Sequence, residues 1–288
     1  MPVEGANPRG GELIHLRQPS QPEPDAGPRR SDVDGWGRSQ RVRDVFARLY
    51  EPLYRHWFRV EWEGLDKVPT DGGALLVANH AGAIPVDAPL LMHGIETELG
   101  RPVYGLADRL FRSLPVAGTI WARAGGVAAH PDNAYRLLHD ERALTLDFPE
   151  GTKGTGKLFT ERYQLQRFGR GGFVEIAMRA GVPVVPIAVM GSEETMPTIA
   201  RFEAAARLLG VPYVPLTANM LLLGPLGLFT PFPAKIRFRV LDPVRFDVKP
   251  DQPRYPKGRV HTEAEEIRAA LQQALNDMLA ARQSVWLG

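Results

Sequence analysis

Residues 142–158 read RALTLDFPEGTKGTGKL, and the architecture turns on how this stretch is read. ALTLDF is a short apolar run closed by Pro149 and Gly151, the pattern of a buried strand. Behind it comes Gly151, four residues, then Gly156-Lys157, the spacing of a phosphate-cradling nucleotide loop. That loop needs Ser or Thr after the lysine to hold magnesium, whereas Leu158 stands there. Glu150, just before the first glycine, would also repel a triphosphate. The corner therefore belongs to a different chemistry, carried on a loop at the end of a strand.

The same strand-then-loop pattern recurs outward from this point. GGALLVANH reads as a buried strand ending at Asn79-His80, and VDAPLLMHGIETEL as a helix with Asp87 as its N-cap. PVYGLAD is a strand and PDNAYRLLHDE a helix. GRGGFVEIAMRAG is a helix closed by Gly181, and VPVVPIAVMG a strand whose prolines belong at its ends or at a sheet edge. KIRFRVLDPVRF is β-like, and HTEAEEIRAALQQALNDMLAARQ is an amphipathic last helix. Strands alternating with helices from 74 to 190 predict an α/β fold, a layered mixed sheet flanked by helices, with functional residues on loops at the strand ends.

The chain has 288 residues, 44% of them apolar, enough for one large buried core. With 35 basic and 33 acidic residues the net charge is +2, too balanced to point to nucleic acid. Cysteine is absent, which excludes disulfides, thiolate catalysis and Cys-ligated zinc. The seven histidines are scattered without metal-ligand spacing, so no metal site and no bound cofactor are expected.

Residues 1–37 are rich in Pro, Gly, Arg and acids and lack the apolar core of a secretory signal; they are expected to form a disordered tail. Residues 38–288 then make a single domain that opens with an amphipathic helix over 39–60. Val42, Val45, Phe46, Leu49, Leu53, Trp57 and Phe58 recur there at helical spacing with arginines between them. Two readings stay open for it: a cap over the core, or a helix lying at a membrane interface. Residues 208–234 carry no charge, but their prolines argue against a membrane-spanning helix. A core or tunnel wall is the first expectation for this segment, and a surface dipping into lipid the second.

In VANHAGAIPVD, His80 follows a strand and Asp87 lies across a loop containing Gly82 and Pro85. An imidazole oriented by a carboxylate is two thirds of a Ser-His-Asp triad, and a substrate hydroxyl can stand in for the serine. A loop histidine beside an unrelated helix cap is the plainer alternative.

Taken in order, NHAGAIPVD and FPEGTKG resemble the motifs of the glycerolipid acyltransferase superfamily, which includes lysophosphatidic acid acyltransferases. The first motif maps onto Asn79, His80 and Asp87, and the third onto Phe148, Pro149, Glu150, Gly151 and Thr152, with Lys153 in the place of an arginine. VPVVPIAVMG fits the fourth, and GTIWARAGGVAAH loosely fits the second. The resemblance covers residues 60–245. Two departures stand out: six residues separate His80 from Asp87 where four are usual, and no arginine aligns with the end of the second motif.

The resemblance implies an enzyme that moves a fatty acyl group from acyl-CoA or acyl-carrier protein, its co-substrate, to a hydroxyl of a lysophospholipid or other lipid alcohol. His80 is then the general base and Asp87 its orienting carboxylate. Glu150, Gly151, Thr152, Lys153 and Lys157 form the substrate-binding set, Glu150 either meeting the acceptor hydroxyl or anchoring the loop. Residues 208–234, Leu221 and Leu222 above all, become the candidate lining for the acyl chain. The expected location is cytoplasmic, peripherally on a membrane surface. A thioesterase or lipid hydrolase using the same pair on water, and a non-catalytic lipid-binding protein, are the rival readings. An alcohol ionises near ~15.7, like water, and free imidazole near ~6.5, a gap of roughly 12 kcal/mol. A free alkoxide is therefore out of reach, and the base must take the proton as the hydroxyl attacks.

Overall fold

The computed structural model describes residues 32–107, 115–211, 213–252 and 254–288. The expected tail lies outside the described residues up to 31. Residues 33–37 already belong to the domain, since Asp34 accepts the Tyr104 hydroxyl at 2.7 Å and the Arg38 N–H at 2.9 Å.

In chain order the first elements are α1 (Gln40–Pro52), β1 (Glu61–Glu63), β2 (Ala74–Ala78), α2 (Asp87–Leu99) and β3 (Val103–Ala107). Then come α3 (Pro115–Arg123), β4 (Gly126–Ala128), α4 (Pro131–His139), β5 (Leu144–Asp147), the single turn α5 (Thr152–Thr155) and α6 (Gly172–Ala180). The last group is β6 (Val184–Met190), the turn α7 (Ser192–Thr195), β7 (Thr198–Arg201), α8 (Glu203–Leu209), β8 (Pro215–Thr217), α9 (Ala218–Leu223), β9 (Arg237–Val240) and α10 (Lys257–Ala281).

Among the described residues seven strands form one sheet in the order β1-β9-β6-β2-β5-β3-β4, while β7 and β8 pair separately. Strands β6, β2, β5, β3 and β4 run parallel; β9 is antiparallel to β6 and carries β1 parallel beside it. This is the layered mixed sheet that the sequence predicts. Both faces of the central strands are covered, so β2 and β6 are buried at every position.

Alternation sorts their side chains into two cores. Leu75, Val77, Val184 and Ala188 face α6 and α10 through Phe173, Val174, Ile267 and Leu271. Leu76, Leu146, Val185 and Ile187 face Tyr54, Phe58, Leu90 and Leu91 on the other side.

Pro186 corrects one expectation. It lies in a central strand, paired with Val77, not at an edge. The β6–β9 ladder covers Ile187 to Met190 and breaks just before Ile187, resuming as an isolated bridge from Val184 to Val244. The missing N–H falls at that irregularity, while the Pro186 carbonyl still accepts from Leu241 at 2.9 Å.

Helix α1 is tied to α2 by Arg43 on Glu96 and by the Glu51 carboxylate 2.8 Å from His93 Nε2. Pro52 cannot supply the next helical N–H, and the chain continues as a π turn over Leu53–Trp57. Tyr54 and Phe58 close the core, while Val45, Leu49, Leu53 and Trp57, four residues apart, remain exposed. The helix is thus a cap on one face and an open apolar stripe on the other. Among the described residues no helix is long and apolar enough to cross a membrane.

Candidate active site

Because β6, β2 and β5 are parallel neighbours, the loops leaving their carboxyl ends converge. Those loops carry His80, the corner at Glu150 and the turn at Glu193.

His80 Nδ1 lies 3.1 Å from Asp87 Oδ2. Six intervening residues close the loop comfortably. Asp87 is fully buried and also accepts the Ala81 N–H at 3.0 Å and the Ala88 N–H at 2.7 Å. It opens α2 as the first helical residue; Val86 is the N-cap, not Asp87 as expected. Three contacts fix the carboxylate, and the carboxylate fixes the ring. The imidazole face stacks on Phe148, with centroids 4.1 Å apart and planes at 25°. With Nδ1 engaged, Nε2 is the nitrogen left to accept a proton, and the side chain keeps 15% of its exposure. Asn79 pins the end of β2 to β6, its amide bonded to the Val189 carbonyl at 2.9 Å and its carbonyl to the Val189 N–H at 2.7 Å.

Glu150 ties the two sequence motifs together. One carboxylate oxygen accepts the His80 N–H at 3.1 Å and the other the Gln166 N–H at 2.7 Å. Its side chain is fully buried, so it anchors the loop, and the alternative of a carboxylate turned toward an acceptor does not fit this placement. Gly151 has φ +55° and ψ −142°, a conformation open to glycine. Its N–H is engaged by the Phe148 carbonyl at 2.9 Å. A Cβ on Gly154 would come within 2.7 Å of the His80 carbonyl oxygen, so this turn packs directly against the histidine.

Thr152 and Lys153 are exposed on the turn, but Lys157 is not. Its ammonium sits 2.8 Å from Glu193 Oε1 and 3.6 Å from Glu150 Oε2, with 4% of the side chain exposed. The expected phosphate ligand is thus an internal counter-ion. Two buried carboxylates need a buried cation, and one lysine serves both.

Glu193 and Glu194 escaped the sequence reading. Glu193 also accepts the Tyr163 N–H at 2.7 Å, and Glu194 bonds the Tyr163 hydroxyl and, at 2.8 Å, Arg282. Burial pushes Glu193 up to about 7, with Lys157 pulling the other way. Burial likewise lifts Asp147, at the end of β5, to about 6, opposed by its neighbour's N–H and by the nearby His80.

Against the His80 backbone lies a small cavity of about 10 Å³, lined by Gly82, Gly154, Lys157, Phe159, Met196 and Thr198 among others. At its edge Arg162 stacks over Phe159 at 4.6 Å, and Arg201 bonds the Gly156 carbonyl at 2.8 Å. Leu221 and Leu222, the expected acyl-chain lining, do not line it: they are 64% and 71% exposed. Their segment lacks charge, yet no layer of the fold packs over it.

A histidine held by a buried carboxylate is two thirds of the Ser-His-Asp arrangement. Comparisons with known proteins supply the family. The acyltransferase family model matches residues 59–190, which include His80, Asp87 and Glu150. An uncharacterised protein of Mycobacterium tuberculosis is 39% identical over 260 residues, 89% of this chain and 72% of that one. A human protein described as a DGAT1/2-independent enzyme synthesizing storage lipids is 24% identical, over 72% of this chain and 60% of its own. The crystal structure of the 1-acyl-sn-glycerophosphate (LPA) acyltransferase PlsC from Thermotoga maritima superposes with a TM-score of 0.54 at 19% identity, covering 84% of this chain and 80% of that one. The fold is shared with that structure. The chain belongs to the acyltransferase family, and with it to the glycerolipid acyltransferase superfamily that its motifs resemble.

Proposed function

We infer that the protein transfers a fatty acyl group from a thioester, acyl-CoA or acyl-carrier protein, to a hydroxyl of a lysophospholipid or another lipid alcohol. The observation that carries this reading is the His80–Asp87 contact of 3.1 Å, which engages Nδ1 and leaves Nε2 to take a proton. His80 Nε2 takes the hydroxyl proton as the oxygen attacks the thioester carbonyl. Asp87 holds the proton on Nδ1 and stabilises the imidazolium. The tetrahedral intermediate collapses, the C–S bond breaks, and the imidazolium returns the proton to sulfur. Glu150 holds the His80 backbone in place without touching substrate. Lys153, with Arg162 and Arg201, supplies positive charge at the cavity edge for a phosphate-bearing donor or acceptor. The similarity to a protein named for storage-lipid synthesis, and the fold shared with one named for lysophosphatidate acylation, support a glycerolipid acceptor.

The protein works peripherally on the cytoplasmic face of a membrane. The exposed apolar stripe of α1 with its arginines supports that placement. The test is to incubate the purified chain with labelled palmitoyl-CoA and a panel of lysophospholipids, diacylglycerol and simple long-chain alcohols. Acylated alcohol is the expected product. Release of free fatty acid at a rate indifferent to every alcohol would assign a thioesterase instead.

A further inference from the structure

The segment that fails as a tunnel wall is built for another purpose. Residues 217–231 form a hairpin-like excursion of α9 and a 3₁₀ turn over Gly224–Phe229. Leu221, Leu222, Leu226 and Phe229 are 64–77% exposed on it, and no charge occurs from 208 to 234. A contiguous exposed apolar patch of this kind marks a surface that meets another phase or partner.

Its interior is polar and buried, the reverse of the usual arrangement. Asn219, with no exposed surface, donates to the Thr195 carbonyl at 3.1 Å and to the Thr230 carbonyl at 2.8 Å. Thr217, also fully buried, caps the Met220 N–H at 3.3 Å, and Thr230 donates to the Leu226 carbonyl at 3.2 Å. Gly227 packs so closely on the backbone of Asn219 and Met220 that a Cβ would meet it at 2.3 Å. A loop entering hydrocarbon must satisfy its polar groups internally; these bonds satisfy the Thr195, Leu226 and Thr230 carbonyls and the Met220 N–H while leucine and phenylalanine stay outward, and Asn219 Oδ1 is the buried atom left without a partner among them.

Its position is equally specific. Ala218 N–H bonds the Pro197 carbonyl at 2.9 Å and Phe232 N–H the Thr195 carbonyl at 2.7 Å, so both ends stand on the segment whose Met196 and Thr198 line the cavity. Trp57 Nε1 bonds the Pro231 carbonyl at 3.1 Å, joining the excursion to the apolar stripe of α1. That stripe is flanked by the exposed Arg48, whose charge complements anionic headgroups, and by Arg55, which is paired with Glu51.

We propose that residues 217–231 insert into the acyl-chain region of an anionic bilayer leaflet and seat the cavity on the lipid surface. This rests on the membrane placement inferred above and names the element that achieves it. The chain has no cysteine, so Leu222→Cys takes a single environment-sensitive fluorophore, with exposed Gln273→Cys on α10 as the control. On titration with phosphatidylcholine–phosphatidylglycerol vesicles, the label at 222 is expected to brighten and to be quenched by nitroxides on the acyl chains, while the label at 273 stays silent. The Leu222→Ser/Phe229→Ser chain is expected to bind these vesicles about tenfold more weakly or worse. Its turnover of a short-chain thioester with a water-soluble alcohol should stay at the parental rate. Equal responses at 222 and 273, or parental vesicle affinity in the double variant, would overturn the proposal. So would a change from dimer to monomer with vesicle binding intact, which would give the patch to a second copy. Insertion of the label in a chain that transfers no acyl group supports the proposal and sinks the catalytic reading alone.

Discussion

Glu150 Oε1 accepts the backbone N–H of His80 at 3.1 Å, so the carboxylate of one sequence motif holds the histidine of the other. Its second oxygen is bonded to Gln166 N–H, and Lys157 lies 3.6 Å away. Removing the group leaves two N–H donors and an ammonium without it. Glu150→Ala is expected to cost about 3–5 kcal/mol of stability, read by urea unfolding. Glu150→Gln keeps the shape and one acceptor and should cost about 1–3 kcal/mol. A stable Glu150→Ala chain with parental kcat would remove Glu150 from the supporting frame.

Lys157 and Glu193 are expected to be coupled. Lys157→Met strands two buried carboxylates and should cost about 3–5 kcal/mol, whereas Lys157→Met/Glu193→Leu should recover part of the loss. Additive losses in a double-mutant cycle would show that the 2.8 Å contact contributes nothing.

Gly154→Ala tests how tightly the turn bears on the histidine. The added methyl meets the His80 carbonyl at 2.7 Å and displaces either the turn or the base. Because small misplacements of a reacting group are costly, kcat is expected to fall by about 10–100-fold. The stability loss should stay near 1–3 kcal/mol. Parental kcat in this variant would mean the base tolerates displacement.

Glu193 gives a signed pH effect. Its folded value, about 7, exceeds its ordinary 4.5, so the folded state holds the extra proton between those values. This contribution to stability is complete below the ordinary value and is lost as pH rises through about 7. Glu193→Gln should therefore lose less Tm across that window than the parent. Asp147 acts in the same sense but is present in both chains, so the difference isolates Glu193. Parallel Tm–pH curves would contradict the assignment.

How much of this was legible in the sequence follows from which interactions are local. The strands β2, β5 and β6 are visible as short apolar runs because a parallel strand is buried on both faces. The His80 and Glu150 loops are legible because each follows such a run directly. Glu193 and Glu194 were not: GSEET reads as a solvated acidic turn, and the partners that let it be buried, Lys157, Tyr163 and Arg282, are remote in sequence. Two acids within four residues of the end of a fully apolar strand were the available signal. Leu221 and Leu222 misled for the opposite reason, since hydropathy implies burial but not which phase covers the side chain.

The measurement that bears most directly on the catalytic account is acyl transfer from a labelled thioester to a lipid alcohol by the parent, His80→Gln and Asp87→Asn chains, with Tm recorded for each. His80→Gln is expected to lose about 10²–10⁴-fold in kcat with its fold intact. Asp87→Asn should fall comparably, because the 3.1 Å contact that sets the tautomer is lost. A folded His80→Gln chain that transfers acyl groups at the parental rate would contradict it.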